Sequence, residues 1–206
     1  MPKKSLTIIK SEKKKDFNLY EDIKHNPLYT KSTTNRDDIA REFLKDNTQN
    51  IAHSKIVPGQ LLLFYYFEPK TKAELEYYDA SPCTIFFGYY NSKQGKRVIG
   101  FNIHYYPPRT RWIIMTEIFK VFKPVMMKYF EDGIIKEIDA FDYKYIMEEL
   151  ERKKLAFGVR QYDPQLMTNI HNIAPNCWAT ACYTEGWFKK LTRDAVMKYW
   201  KQKHYK

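Results

Sequence analysis

Short apolar and aromatic runs separated by turn signals occupy residues 57–106, and they constrain the fold more than any other feature of the chain. Three runs have the length and composition of β-strands: QLLLFYYF, PCTIFFGYY and VIGFNIHYY. The last two are joined by NSKQGK, a short hairpin connection in which Gly95 is available for a positive φ. The connection over residues 68–79 is too long for a tight turn. This spacing predicts a small SH3-like β-barrel with a long first loop.

The periodicity changes after Pro107 and Pro108. Apolar residues then recur at three- and four-residue steps, which predicts a helix with Pro108 in its first turn. A second helical pattern covers residues 140–157, and strand-like runs return at LMTNIHNI and WATACYT. We therefore predict an α+β protein in which strands from both sides of a helical insertion close the barrel.

Four parts of the chain follow from these patterns, and each has its own composition. They are an extended arm with one short helix over residues 1–55, a β-barrel over 56–107 and 166–186, a helical insertion over 108–165, and a basic amphipathic tail over 187–206. The short helix in the arm is expected from about Asp37 to Lys45. Because the tail carries two tryptophans among its lysines, it has to pack on a surface.

Composition excludes several classes of protein. The longest apolar runs, LLLFYYF and WIIM, are far shorter than the roughly 20 residues of a membrane-spanning helix. The N-terminus has no apolar stretch of signal-peptide length, so we expect assembly in a host cytoplasm and no membrane partner. The three cysteines form neither an even framework nor a CxxC pair, and we expect them to be small buried hydrophobic residues.

The charge balance favours an anionic partner. Lys and Arg number 35 against 24 Asp and Glu, a formal net charge of +11. The chain is also rich in Lys, Asn, Ile and Tyr with only 7 Gly, which is the usage expected of an AT-rich genome. Non-specific DNA contact therefore stays open on charge alone.

His104 is the best single candidate for acid–base chemistry. Catalysis would need an orienting carboxylate or a nucleophile nearby, and Asp79 or Ser81 is a possible partner. A histidine at a strand end whose ring is satisfied by the backbone is the more common case. The sequence has no HExxH, paired CxxC or P-loop motif, so we predict no catalytic residue, no metal ligand and no cofactor.

Exposed cations and tyrosines are the candidate contacts to a partner. Arg109 and Arg111 follow the two prolines, and they either hold a phosphate or partner carboxylate or pair with an acid of the chain itself, such as Asp79. The candidate partner or phosphate contacts in the tail are Lys189, Lys190, Arg193, Lys198 and Lys201. Tandem tyrosines alternate between the faces of a strand, so half of them point outward and suit a protein interface or base stacking.

The residues between 56 and 125 also resemble a family of small tailed-bacteriophage proteins whose pattern runs PG, F-Y-PK, YYD-x-x-P and G-x-N-x-HY-x-PP-x-x-R. The following residues fall on that pattern in register: Pro58, Gly59, Phe64, Tyr66, Pro69, Lys70, Tyr77, Tyr78, Asp79, Pro82, Gly100, Asn102, His104, Tyr105, Pro107, Pro108 and Arg111. A looser similarity continues over residues 170–190. The AT-rich usage suits a crAss-like phage.

The resemblance implies a component of a phage particle, because members of that family are virion or DNA-end-protector proteins. It implies a structural motif in which Asn102, His104 and the two prolines fix a strand to a helix. Our first hypothesis is a non-enzymatic subunit of the virion that forms a homo-oligomeric ring or adaptor with portal, neck or tail proteins. The alternative is a DNA-end-binding protector. A distant third is a barrel-type ribonuclease that uses His104 and Arg111.

Overall fold

An antiparallel sheet organises the chain in a computed structural model that describes residues 36–67, 76–93, 95–108, 110–118 and 143–204. Its strands stand in the order β1-β7-β2-β4-β5-β6. Their bounds are β1 Thr48–Asn50, β2 Leu61–Tyr66, β4 Cys83–Ser92, β5 Gly95–Asn102, β6 Val159–Tyr162 and β7 Met167–Ile173. A separate two-stranded ladder pairs β3 with β8, whose bounds are Tyr78–Asp79 and Phe188–Lys189.

Helices cover one side and both ends of this sheet in the chain order. They are α1 Arg36–Asp46, α2 over residues 108 and 110–118, α3 Tyr143–Arg152, α4 Trp178–Ala181 and α5 Arg193–His204. A short 3-10 turn, Ile103–Tyr105, connects β5 to the segment that begins α2. The largest core cluster contains Trp178, Phe101 and Tyr106, and α1, α2, α3, α4 and α5 each contribute apolar side chains to it or to its margin.

Two glycines explain the geometry of the β4–β5 hairpin. Gly95 adopts a φ of 105° just after the turn, a conformation that favours glycine, as the sequence predicts. At Gly100 a Cβ would lie 2.6 Å from the Ile85 carbonyl oxygen on the paired strand and closer still to the Thr84 side chain. A larger residue at Gly100 would therefore push β4 away from β5.

The α+β class is confirmed, but the sheet is open. In the described ranges no ladder joins the edge strands β1 and β6, so the predicted SH3-like barrel is not found. The edge strand β1 is only three polar residues long, Thr48–Asn50, and offers little to pair with. Strands from before and after the predicted insertion do lie in one sheet, because β2 pairs with both β4 and β7.

Several element boundaries differ from the prediction. Residues 36–50 are not an arm, since α1 packs on α4 and β1 pairs with β7. β6 lies inside the range predicted to be a helical insertion, and WATACYT forms α4 and its following turn instead of a strand. A helix buried on all sides has no polar face, so periodicity could not separate α4 from a strand. The rest of the predicted arm and the middle of the insertion, residues 1–35 and 119–142, lie outside the described residues.

The C-terminal helix is present as predicted, and it packs on the chain's own core. Val196 of α5 is 0% exposed and joins the main core cluster. Cys83, Cys177 and Cys182 are free and buried, as expected. None of the helices in the described ranges is both long and apolar enough to cross a membrane.

Candidate functional site

Asp79 is the centre of a buried hydrogen-bond network built by the sequence motif. Its Oδ1 accepts the backbone N–H groups of Ser81 at 3.0 Å and Trp187 at 2.9 Å. Its Oδ2 accepts from Asn102 Nδ2 at 3.1 Å and lies 2.7 Å from His104 Nδ1. Burial alone raises the pKa of Asp79, but His104, Asn102 and Ser81 together lower it below its ordinary value. The carboxylate is therefore ionised, with both oxygens satisfied.

His104 is 0% exposed and completes this network from the 3-10 turn after β5. Burial lowers its pKa more than Asp79 raises it, so the ring is neutral at neutral pH. Nδ1–H then donates to Asp79, and Nε2 lies 2.9 Å from the hydroxyl of Thr184. The Thr184 hydroxyl is the donor in this pair, because the nearby Ala181 carbonyl already accepts the Thr184 backbone N–H at 3.1 Å.

The order of hydroxyl, imidazole and carboxylate is that of an activated nucleophile. Here, however, Thr184 and His104 are both 0% exposed and Asp79 is 3% exposed. A substrate has no path to the hydroxyl through the described surface, so the geometry favours a role in holding β3, β5 and the segment after α4 together. Sequence reasoning paired His104 with Asp79 as a possibility and missed Thr184, which lies 80 residues away.

Arg111 lies inside the protein, at the first turn of α2. It is 0% exposed and donates to the carbonyl oxygens of Tyr106 at 2.8 Å, Cys182 at 3.1 Å and Thr184. Its Nη2 also donates to Glu185 Oε2 at 3.1 Å. Of the two alternatives, the structure shows the pair with an acid of the same chain, and that acid is Glu185 and not Asp79. Arg111 is not placed to contact a phosphate, and Arg109 lies outside the described residues.

The remaining motif residues form the frame of this network. Gly59 has a φ of 89° and donates its N–H to the Phe86 carbonyl at 2.8 Å, which fixes the turn before β2. The Pro107 carbonyl accepts the N–H of Arg111 at 3.1 Å. Pro58, Pro107 and Pro108 are half-buried, Tyr78 is buried in β3, and Gly100 and Asn102 are buried in β5.

The tail cations lie on the surface directly beyond the network. Lys189, Lys190, Arg193, Lys198 and Lys201 are all exposed. Arg193 Nε pairs with Glu185 Oε2 at 2.9 Å, so the carboxylate that holds Arg111 also holds the first residue of α5. Residues 187–206 contain one acid, Asp194, and this surface is therefore strongly cationic.

An exposed aromatic pair adjoins this cationic segment. Trp187 is 47% exposed and stacks on Tyr65, which is 42% exposed, with 5.8 Å between ring centroids. Tyr65 and its neighbour Tyr66 point to opposite faces, as the alternation predicts, and Tyr66 is buried. Tyr105 and Tyr106 are both buried, because they follow a 3-10 turn instead of an extended strand.

Metal chemistry finds no support in the described ranges, which contain no group of three or more His, Cys, Asp or Glu side chains suited to hold an ion.

A family model described as Phage T4 terminal DNA protecting protein matches residues 2–202, nearly the whole chain. No curated protein and no solved structure matches. The family match confirms the resemblance to phage DNA-end protectors, while the detailed motif and the crAss-like origin stay predictions. The chain therefore belongs to the family of the phage T4 terminal DNA protecting protein.

Proposed function

We propose that the protein binds the ends of linear phage DNA and shields them from exonucleases, with the tail cations contacting phosphates. The observation that carries this proposal is the family match over residues 2–202. The exposed cations of β8 and α5 supply the electrostatic attraction that non-specific DNA binding requires.

The tail is suited to this role because it is anchored. Val196 holds α5 against the core, and Glu185 ties Arg193 to the buried Arg111. Lysines on a fixed helix lose less conformational freedom on binding than lysines on a loose segment. The cationic surface is therefore presented to DNA as a preformed patch.

The other sequence hypotheses have less support. Neither the fold nor the family match bears on a ring or adaptor in the portal, neck or tail, and that role stays a prediction. The absence of catalytic activity is likewise a proposal, supported by the burial of His104 and Thr184.

Protection of a linear duplex from an added exonuclease tests the proposal. Matched triple variants separate the tail from general charge: Lys189→Gln, Lys198→Gln and Lys201→Gln against the exposed control set Lys45→Gln, Lys55→Gln and Lys154→Gln. We expect the wild type and the control set to protect the ends and the tail set to lose most of the protection.

Two outcomes would overturn this assignment. If the wild-type protein leaves linear DNA as sensitive as naked DNA, end protection is wrong. If the protein itself degrades nucleic acid in the absence of exonuclease, the ribonuclease-like alternative takes its place.

A further inference from the structure

A cleft of about 940 Å³ opens beside β5 and β6, on a part of the surface that the network around Asp79 does not explain. We call it the tyrosine cleft. The tyrosines and cations that line it are Tyr66, Tyr77, Tyr105, Tyr162, Lys96, Arg97 and Arg160. Burial raises the pKa of Tyr105 to about 12, so this hydroxyl stays protonated and neutral.

Arg160 is held firmly in this cleft. Its Cζ lies 3.8 Å from the centroid of the Tyr105 ring and 5.2 Å from that of Phe157. Its Nη1 donates to the carbonyl oxygens of Phe157 at 2.5 Å and Val159 at 2.7 Å. These contacts orient the guanidinium without neutralising it, because Arg160 forms no ion pair with a carboxylate of the described residues.

The acids of the cleft are already occupied. Asp79 is saturated by its four donors, and Asp163 Oδ2 pairs with Arg97 Nη1 at 3.0 Å. Lys96 has its Nζ over the Tyr89 ring at 4.0 Å, which leaves its charge uncompensated as well. The positive charges of Lys96 and Arg160 therefore favour an anion in the cleft.

We propose that the tyrosine cleft binds the terminal nucleotide of a DNA end, with its phosphate on Arg160 and its base against the tyrosines. This inference rests on the proposed end-binding function. A volume of about 940 Å³ matches the size of a small-molecule site, which holds a nucleotide but not a duplex. The aromatic walls favour a nucleotide over a bare phosphate, because bases stack on such rings.

The cleft would also explain how an end is distinguished from the interior of a duplex. An internal nucleotide must lose stacking on both sides before it enters a pocket, whereas a terminal nucleotide loses stacking on one side. The tail cations contact phosphates anywhere along DNA, so preference for ends has to come from a site that admits one nucleotide at a time.

Hairpin DNA with one open end, compared with a closed dumbbell of the same sequence, provides the test. For Arg160→Gln we expect about tenfold weaker binding to the open hairpin and unchanged binding to the dumbbell. Arg152→Gln, which alters an exposed arginine of α3 paired with Glu149, is the matched control and keeps wild-type affinity for both. Thermal melting verifies that each variant is folded.

Competition on the wild-type protein keeps the test decisive if Arg160→Gln fails to fold. Deoxyadenosine 5′-monophosphate should displace the open hairpin at least about tenfold better than deoxyadenosine or inorganic phosphate. Equal competition by all three, or wild-type affinity in a folded Arg160→Gln protein, would overturn the assignment. Failure of the wild type to prefer the open hairpin would instead overturn end binding itself.

Discussion

At Asp79, one carboxylate joins three parts of the chain that are far apart in sequence. It accepts hydrogen bonds from Ser81, Asn102 and Trp187 and pairs with His104. Removing any one donor leaves buried charge less well solvated, and the cost of that exceeds the value of the lost bond. The first residue to test is therefore the one whose ring also reaches Thr184.

His104→Ala should lower the free energy of unfolding by about 3–5 kcal/mol, because it removes the charged partner's strongest donor and opens a cavity. Denaturant titration measures the change. His53→Ala, at an exposed histidine whose ring contacts only the Met167 carbonyl, is the control and should cost under about 1 kcal/mol. A folded His104→Ala protein that has lost a nuclease activity present in the wild type would contradict the structural role.

The same pair sets a pH dependence of stability. The pKa of His104 is lower in the folded protein than in the unfolded chain, so the unfolded chain binds more protons as pH falls below about 6.5. Stability should therefore be full above about pH 7 and fall through the range below 6.5. Asp79, with its lowered pKa, adds a further loss below about pH 4. Melting temperatures at graded pH measure this, and a His104→Gln variant should lose the first step.

Residue contacts were predictable only where the sequence supplied both partners in one motif. Asp79 and His104 were paired as candidates because each was conspicuous, whereas Thr184 and Glu185 carry no local signal. The destination of Arg111 depends on how close α2 lies to the turn after α4, a tertiary distance that no sequence period reports.

At the scale of elements, locally determined features were predicted and non-local ones were not. The hairpin between β4 and β5 depends on its own turn, and α1 and α5 on their own periodicity and polar ends. Whether β1 meets β6 depends on pairing between opposite ends of the sheet, which no local pattern specifies. That is why the barrel was expected and an open sheet is found.

The tail helix is expected to be part of the cooperative fold, a change from the sequence-based view that residues 190–206 are removable. Val196 is 0% exposed, and Tyr199 lies 6.1 Å from Tyr77 by ring centroids. Val196→Asp should cost about 3 kcal/mol or more, because it buries an unpaired charge, whereas Lys198→Asp on the exposed face should cost under about 1 kcal/mol. Denaturant unfolding compares the two, and equal stability would mean that α5 does not dock.

At the scale of the whole molecule, the net charge of +11 and the family match point to one kind of partner. Charge alone was ambiguous, because AT-rich codon usage also enriches lysine. The structure adds that the tail cations are exposed on an anchored helix while Arg111 is not available. The number of phosphates that the protein engages is therefore a quantity that the tail should determine.

Roughly five tail cations in contact with duplex DNA give a slope near −4 to −5 in a plot of log affinity against log salt concentration. Fluorescence anisotropy between about 50 and 200 mM salt measures this slope. The triple variant at Lys189, Lys198 and Lys201 should reduce its magnitude by between about 2 and 3, since each lost contact removes about 0.9. The control set at Lys45, Lys55 and Lys154 should leave the slope unchanged, because these lysines are exposed elsewhere on the chain. If both sets changed the slope equally, the tail would not be the phosphate-binding surface, and the attraction would belong to the overall charge.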